Sequence, residues 1–170
     1  VQVGMLASAK SLQEDLRRLA ASSDTSSSSG LQRLLQESTL ALLRQPELWV
    51  YANAESGSVP FSSAESTFNR LSMNERSKLD AELTSNVGGQ KLSGGTTETV
   101  GDADATNEFI VVTLLVASTA TASLKGASTG EDLRQTLRIL GSTASSELMA
   151  LEVIWQPEGR GDVLSAEELL

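Results

Sequence analysis

The side chains that most often carry out catalysis are scarce in this 170-residue sequence. It contains no histidine and no cysteine. Imidazole bases, thiol nucleophiles, haem ligation by histidine and zinc sites built from Cys and His are therefore excluded. Serines are abundant, but without histidine a serine hydrolase would need a lysine base from elsewhere in the fold. We therefore predict no catalytic residue and expect a protein that is not an enzyme.

Carboxylates are the next candidates for chemistry, and three pairs of them are neighbours in the sequence, at positions 14–15, 131–132 and 167–168. Neighbouring residues on a helix point about 100° apart, so none of these pairs is placed to share a proton or a metal ion. Two of the pairs lie near predicted helix N-termini, where the helix dipole stabilises negative charge. This structural role is sufficient to explain them.

Asp102, Asp104 and Glu108 lie at the entrance to an apolar segment, and an Asp-x-Asp pattern can bind calcium or magnesium. An EF-hand loop also requires a glycine at its sixth position and a glutamate at its twelfth, and neither is found here. We interpret these carboxylates as solvated loop charges and predict no metal site. A calcium-dependent regulator that uses them stays open as an alternative.

The charge balance is acidic, with 13 basic and 22 acidic residues and a net charge of -9. The basic residues are scattered, whereas binding to a nucleic-acid backbone depends on clustered Lys and Arg. No Walker loop and no Gly-x-Gly-x-x-Gly motif occurs, so no nucleotide cofactor is expected either. The sequence therefore predicts a protein with no cofactor and no nucleic-acid partner.

The elements that would position any site are organised around the segment at 107–118, NEFIVVTLLVAS, which is apolar on both faces of a strand. Three further segments have strand character, and four have helical periodicity. The predicted strands are 1–7, 48–54, 107–118 and 148–156. The predicted helices are 9–20, 29–45, 60–87 and 129–141, followed by a last helical turn at 165–170. The segment at 60–87 is expected to be either one long helix or two helices separated near Ser72.

This order of elements predicts a single α+β domain, in which a mixed sheet of about four strands is covered by about four helices. Two helices have clear start signals, because Ser29 and Thr129 are each followed three residues later by a Gln or an Asp. Two segments rich in Ser, Thr and Gly, near 22–30 and 88–106, predict flexible loops.

Trp49, Tyr51 and Trp155 lie in predicted strands, where aromatic side chains most often belong to the core. The alternation of the second strand places Trp49 and Tyr51 on the same face. If the helices leave that face uncovered, the aromatic side chains would form an exposed patch of the kind that binds protein partners. We therefore name all three as possible partner-binding residues.

The longest apolar run, within 109–117, is about half of the ~20 residues that a transmembrane helix requires. The sequence begins at Val1, without an initiator methionine and already inside an apolar alternation. We therefore expect a processed protein or part of a longer one, with a targeting or membrane segment outside this chain.

Four strings cover most of the sequence and are distinctive. They are QVGMLASAKSLQEDLRRLA, LLQESTLALLRQPELWVYANAES, EFIVVTLLVAS and ELMALEVIWQPEGRGDVLSAEELL. Together they resemble the family of domains of unknown function numbered 1517, whose members occur in cyanobacteria and in plastids. The resemblance implies a soluble domain tethered to a thylakoid or envelope membrane by a hydrophobic segment ahead of it. It implies no site residues, because the family has no established activity.

Together with the resemblance, the lack of a recognisable catalytic motif in the sequence predicts a non-enzymatic interaction or auxiliary subunit. It would lie on the stromal side of the thylakoid membrane, or at the cyanobacterial equivalent. Its expected partner is a photosynthetic membrane complex, which it would help to assemble, stabilise or regulate. The alternative is a small-ligand-binding protein or an enzyme that uses carboxylates, hydroxyls and lysines, and a deep pocket would favour that alternative.

Overall fold

The computed structural model describes residues 1–88, 108–124, 126–157 and 163–165. Five strands, four α-helices and one short 3-10 helix make up this part of the chain. In order they are β1 (Gln2–Leu6), α1 (Lys10–Ser22), α2 (Ser28–Leu43), the 3-10 helix (Pro46–Leu48), β2 (Trp49–Asn53), α3 (Phe61–Gly88), β3 (Glu108–Ser118), α4 (Gly130–Gly141), β4 (Leu148–Gln156) and β5 (Leu164–Ser165). The predicted α+β class and the four helices are confirmed.

The strands form one sheet in the order β2-β1-β3-β4, and β5 pairs with the first residues of β3. Every pairing among the described residues is antiparallel, so the prediction of a mixed sheet is wrong. Strands β2 and β3 run in the same direction, but β1 lies between them, so they do not pair. The connections from β1 to β2 and from β3 to β4 return the chain to the end of the sheet that it left, which makes those pairs antiparallel. After β3, for example, the Thr119 amide donates to the Glu147 carbonyl, just before β4 begins.

The main core lies between one face of this sheet and helices α1, α2 and α4. Residues Ile110–Leu114 of β3 are all buried, which confirms the prediction that this strand is central. The alternate residues of β1 and β3 that face the helices meet a set of leucines from all three. This cluster contains Val3, Met5, Ile110, Val112, Leu114, Leu12, Leu16, Leu42, Leu133 and Leu137.

Helix α3 contacts β3 and β4, but none of its residues from 61 to 78 is buried. Its contacts with the strands include polar ones. The Gln2 Nε2 atom donates to Glu75 Oε2 at 3.3 Å, and Gln156 Nε2 donates to the Glu75 carbonyl at 3.3 Å. Arg76 forms an ion pair with Glu152 of β4. Helix α3 is therefore attached less firmly than the other three.

The starts of two helices test the predicted capping signals. Thr129 caps α4 as predicted, because its hydroxyl accepts from the Asp132 amide and the Asp132 carboxylate accepts from the Thr129 amide, both at 3.1 Å. The prediction of Ser29 as the cap of α2 is wrong. Ser27 is the cap, and its hydroxyl accepts from the Gly30 amide at 3.1 Å. The Ser27 hydroxyl in turn donates a hydrogen bond to the Asp24 carboxylate at 2.8 Å, which fixes the orientation of the Ser27 side chain.

Two predicted segments end differently in the structure. Ser165 was expected to begin a helical turn, but it lies in β5 opposite Glu108, and the residues after it lie outside the described part of the chain. Gly88 is the last residue of α3, and the rest of the predicted loop at 88–106 also lies outside the described residues. No helix in the described residues combines the length and the apolar character needed to cross a bilayer.

Candidate interaction surface

Strand β2 contains two of the three predicted partner-binding residues. A β-bulge interrupts its pairing with β1, so that Met5 lies opposite Trp49 while Gly4 lies opposite Tyr51. Directly opposed residues share a face of the sheet, and Gly4 and Met5 are on different faces. The prediction that Trp49 and Tyr51 share one face is therefore wrong, because the extra residue, Val50, reverses the alternation between them.

Trp49 points toward the helices and packs against the main core. Its Nε1 atom donates to the Leu42 carbonyl at 3.2 Å, near the end of α2, where that carbonyl also accepts from the Gln45 amide at 3.3 Å. The guanidinium carbon of Arg134, from α4, lies 5.7 Å from the centroid of its ring. This distance suits a cation-π interaction. Trp49 therefore connects β2 to two helices and is a structural residue.

Trp155 also packs against the main core, on β4, where it lies opposite Val112. Its Nε1 atom is buried and has no hydrogen-bond partner within the described residues. Two strands separate β2 from β4 in the sheet, which at ~4.8 Å per strand places Trp155 about 14 Å from Trp49. The three predicted residues thus do not form one patch.

Replacing each tryptophan by phenylalanine tests this difference between the two indole N-H groups. Trp49→Phe loses a hydrogen bond, whereas Trp155→Phe removes a buried donor without a partner among the described residues. An unpaired buried donor costs about 1–3 kcal/mol, which offsets the lost packing at position 155. Trp49→Phe is therefore expected to destabilise by about 1 kcal/mol more than Trp155→Phe, as measured by urea unfolding. Equal losses of stability in the two variants would contradict this difference in hydrogen bonding between Trp49 and Trp155.

Tyr51 and Val50 are the exposed large apolar side chains of β2, at 41% and 46% of their full accessible surface. They lie on a strand with one neighbour, because β2 pairs with β1 alone among the described residues. The strand itself carries no charge, and the nearest carboxylates, Glu47 and Glu55, lie beyond its two ends. We call β2 with these two carboxylates the β2 edge.

Exposed apolar side chains also occur on α3, which sequence reasoning assigned to a covering face. Phe61 is 78% exposed and Met73 is 70% exposed. Phe61 is the first residue of the helix, which has 28 residues and is about 42 Å long, whereas the strands that it contacts, β3 and β4, have 11 and 9 residues. Met73 lies two residues before Glu75, whose side chain contacts Gln2, so Met73 lies on a face of the helix turned away from the sheet.

A cavity of about 660 Å³ opens between the end of α1 and the start of α2. Its lining includes Arg18 and Arg33, but also Asp24 and Glu37, with serines between them. Hydrogen bonds from the Ser26 and Ser27 side chains are the largest causes that hold the pKa of Asp24 below its ordinary value. The cavity is therefore polar and carries charges of both signs.

Gly126–Gly130 has the Gly-x-Ser-x-Gly pattern of a serine-hydrolase nucleophile elbow, although no site was predicted there. The structure explains why the match is accidental. An elbow connects a strand to a helix through a strained serine, but residues 121–124 are not in a strand. No residue other than glycine has a positive φ in the described chain, so Ser128 is not strained.

The carboxylates considered for metal binding are only partly described. Asp102 and Asp104 lie outside the described residues, and Glu108 begins β3, where its carbonyl accepts from the Ala7 amide at 2.7 Å. Within the described ranges, no three acidic side chains are grouped so that they could hold a metal ion. The described residues therefore provide no observation that favours the calcium-dependent alternative.

Two curated proteins are similar to the chain along its whole length. One is Protein FLAP1 homolog A of Synechocystis, which is 42% identical over 176 aligned positions. The other is FLUCTUATING-LIGHT-ACCLIMATION protein 1, chloroplastic, of Arabidopsis thaliana, at 39% identity over 171 positions. Each alignment covers 100% of this chain, but 53% of the first relative and 43% of the second. The chain thus spans about half the length of the curated relatives it matches.

No solved structure matches the chain. A family model does match it over residues 1–170, and that family is described as "Protein of unknown function (DUF1517)". The match extends over every element of the sheet and the helices, which agrees with the resemblance carried by the four strings. The chain belongs to this family.

Proposed function

We propose that this protein is a non-enzymatic interaction or auxiliary subunit that takes part in the acclimation of photosynthesis to changing light. The observation that carries the proposal is its similarity, over 100% of its length, to a chloroplast protein named for acclimation to fluctuating light. In this proposal the protein binds a thylakoid membrane complex and helps to assemble, stabilise or regulate it.

Features of the described surface support an interaction role. Tyr51 and Val50 are exposed on a strand that has one neighbour, and Phe61 and Met73 are exposed on α3. Exposed apolar side chains that gather on particular elements often belong to protein-binding surfaces. The net charge of -9 would also favour a basic partner surface over an anionic lipid surface.

The proposed location is the stromal side of the thylakoid membrane, or the cyanobacterial equivalent. One relative is chloroplastic and the other is cyanobacterial, which supports a plastid or cyanobacterial setting. Because this chain covers only about half of each relative, the proposal places the membrane tether outside residues 1–170. The partner would then meet the domain close to the membrane surface.

Complementation in Synechocystis tests the role in acclimation. The gene for the relative found there would be deleted and replaced by the full gene that encodes this chain. The strain is expected to recover photochemical yield, measured by chlorophyll fluorescence, under alternating low and high light. The deletion strain and the complemented strain should be alike under constant light, which is the control. A deletion strain with no defect under fluctuating light, or a defect that the gene does not correct, would contradict the role.

The second candidate is a small-ligand-binding protein or an enzyme that uses carboxylates, hydroxyls and lysines. The cavity between α1 and α2 supports it, because serine hydroxyls and the carboxylates of Asp24 and Glu37 line that cavity, with Arg18 and Arg33 in place of lysines. Inorganic phosphate can serve as the probe. If the cavity binds anions, phosphate should raise the melting temperature of the wild type but not that of the double variant Arg18→Gln, Arg33→Gln. An equal response of both proteins would remove this candidate.

A further inference from the structure

The two outer strands of the sheet differ in how their edges are protected. An unpaired strand edge can pair with another chain, and proteins usually prevent this with charges, prolines or bulges. Strand β4 has a charge in its middle, Glu152, which forms an ion pair with Arg76, and Pro157 follows its end. Strand β2 has no charged residue and no proline between Trp49 and Asn53. Its only protection among the described residues is the bulge at Val50.

The bulge leaves part of β2 suited to pairing. Tyr51, Ala52 and Asn53 are in regular register with β1, and the residues from 54 to 60 continue without helix or strand. Tyr51 is exposed on one face of the sheet and would contact alternate side chains of an added strand. On the other face, the contacts of Trp49 with Leu42 and Arg134 attach β2 to helices α2 and α4. These contacts keep the edge rigid before any partner binds.

The charges around this strand indicate what kind of segment would pair with it. Glu47 and Glu55 are both exposed and lie eight positions apart, one before the strand and one after it. An added strand with Lys or Arg near each end would bring positive charges close to these carboxylates, of which Glu47 lies in the 3-10 helix before β2 and Glu55 lies just after the strand. Opposite charges at this separation attract each other. The net charge of -9 adds a long-range attraction for a basic partner.

The same charges disfavour a second copy of this chain as the occupant. If two β2 strands paired antiparallel about the middle residue, Tyr51, the end of each strand that carries Glu47 would lie beside the end of the other that carries Glu55. Like charges that are brought close together repel each other. Two molecules that each carry a charge of -9 would also repel each other during approach.

We infer that the β2 edge is a docking site at which a protein partner adds an extended strand, with an apolar middle and basic residues at both ends. This inference deepens the proposed function and rests on it, because it names the surface and the class of segment that the partner would contribute. The main chain of β2 would provide affinity, while Tyr51, Glu47 and Glu55 would provide specificity.

Two synthetic peptides test the inference on the purified domain. The basic probe has a middle of alternating Val and Thr with two lysines at each end, and the control probe has glutamates in place of the lysines. The basic probe is expected to slow amide hydrogen exchange in Trp49–Asn53 and to bind about tenfold more tightly than the control probe. Protection that appears in β4 instead, or none at β2 with millimolar peptide, would overturn the inference.

Variants with matched controls locate the site. Val50→Lys places a charge at an exposed position of the edge and is expected to weaken the basic probe about tenfold. Met149→Lys makes the same change at an exposed position of β4 and should leave binding unchanged. The double variant Glu47→Lys, Glu55→Lys should prefer the acidic probe. Equal losses in Val50→Lys and Met149→Lys would show that the effect is not specific to β2 and would overturn the inference.

Two further outcomes separate this inference from the proposed function. A dimer of the purified domain in sedimentation, with β2 protected from exchange, would assign the edge to a second copy and overturn the basic-partner inference. If the full-length protein binds a membrane complex equally well with and without Val50→Lys, the edge is not the docking site, although the proposed function stands. If the full-length protein binds no complex while the purified domain binds the basic probe at β2, the proposed function fails. The inference that the β2 edge is a docking site then stands without it.

Discussion

Trp49→Ala is expected to lower the free energy of unfolding by about 3 kcal/mol, although Trp49 lies in the outermost strand and was named as a possible partner-binding residue. The substitution removes the packing of the indole on the main core, its hydrogen bond to the Leu42 carbonyl and its contact with the Arg134 guanidinium. Large-to-small changes of aromatic core residues typically cost about 3–5 kcal/mol, and partial exposure places Trp49 at the lower limit.

Tyr51→Ala provides the matched control, because Tyr51 lies two residues away in the same strand but is exposed. It should change the free energy of unfolding by less than about 1 kcal/mol and should weaken peptide binding at the β2 edge. Urea unfolding followed by circular dichroism measures both variants. A Trp49→Ala variant as stable as the wild type would show that Trp49 is a surface residue after all.

Gly30→Ala is expected to destabilise the domain by about 1–3 kcal/mol. A Cβ atom at this position would clash with the Asp24 carbonyl oxygen, so the turn before α2 would have to move. That movement would separate Asp24 from Ser27 and remove the cap of the helix. The close approach of the turn to the helix is therefore the reason that position 30 requires glycine.

Gly130→Ala is the control for Gly30→Ala, because a Cβ atom there meets nothing within 4 Å. Gly130 is the first residue of α4, where alanine is tolerated and has the better helix propensity. This variant should be as stable as the wild type or slightly more stable in thermal unfolding. If the two alanine variants were equally stable, the turn at Asp24 would not approach α2 as closely as the structure shows.

The turn at Asp24 also predicts a dependence of stability on pH. Hydrogen bonds from Ser26 and Ser27 lower the pKa of Asp24 in the folded protein, so the ionised carboxylate favours the folded state. The ionised carboxylate stabilises the folded state fully at pH values above the ordinary pKa of aspartate. This stabilisation is lost as the pH falls from that value through the lower pKa that Asp24 has in the folded protein. Asp24→Asn should reduce the difference between the stabilities measured at pH 6 and pH 3, relative to the wild type. An unchanged difference would contradict this role.

The class of the fold could be predicted because its signals are local. The segment at 107–118 has apolar side chains on both faces of the strand, which predicts that both faces are buried. Strand β3 is indeed the central strand. The capping pattern at Thr129 places the start of α4 correctly, because the hydrogen bonds of a cap depend on only four consecutive residues.

The features that could not be predicted depend on contacts between distant segments. The direction of β4 relative to β3 is set by the path of the whole connection, so local periodicity could not exclude a mixed sheet. The bulge at Val50 results from the register with β1, and it moved Trp49 and Tyr51 to opposite faces. The cap of α2 moved from Ser29 to Ser27 because the Asp24 side chain holds Ser27 in place.

The candidate surface was predictable only in part for the same reason. The places of Trp49, Tyr51 and Trp155 in predicted strands led to the expectation of packing or partner binding. The sequence could not indicate which aromatic residue is exposed, because exposure at β2 depends on its place at the edge of the sheet. Tyr51 is the member of the predicted set that the structure leaves accessible at 41%.

Affinity capture of the full-length protein from gently solubilised thylakoid or cyanobacterial membranes tests the interaction role most directly. Peptides from the captured material would be quantified for the wild type, for Val50→Lys and for Met149→Lys. The wild type and Met149→Lys are expected to recover one membrane complex in stoichiometric amounts, and Val50→Lys to recover much less. Recovery of nothing above background by the wild type would contradict the interaction role and would turn attention to the ligand-binding alternative.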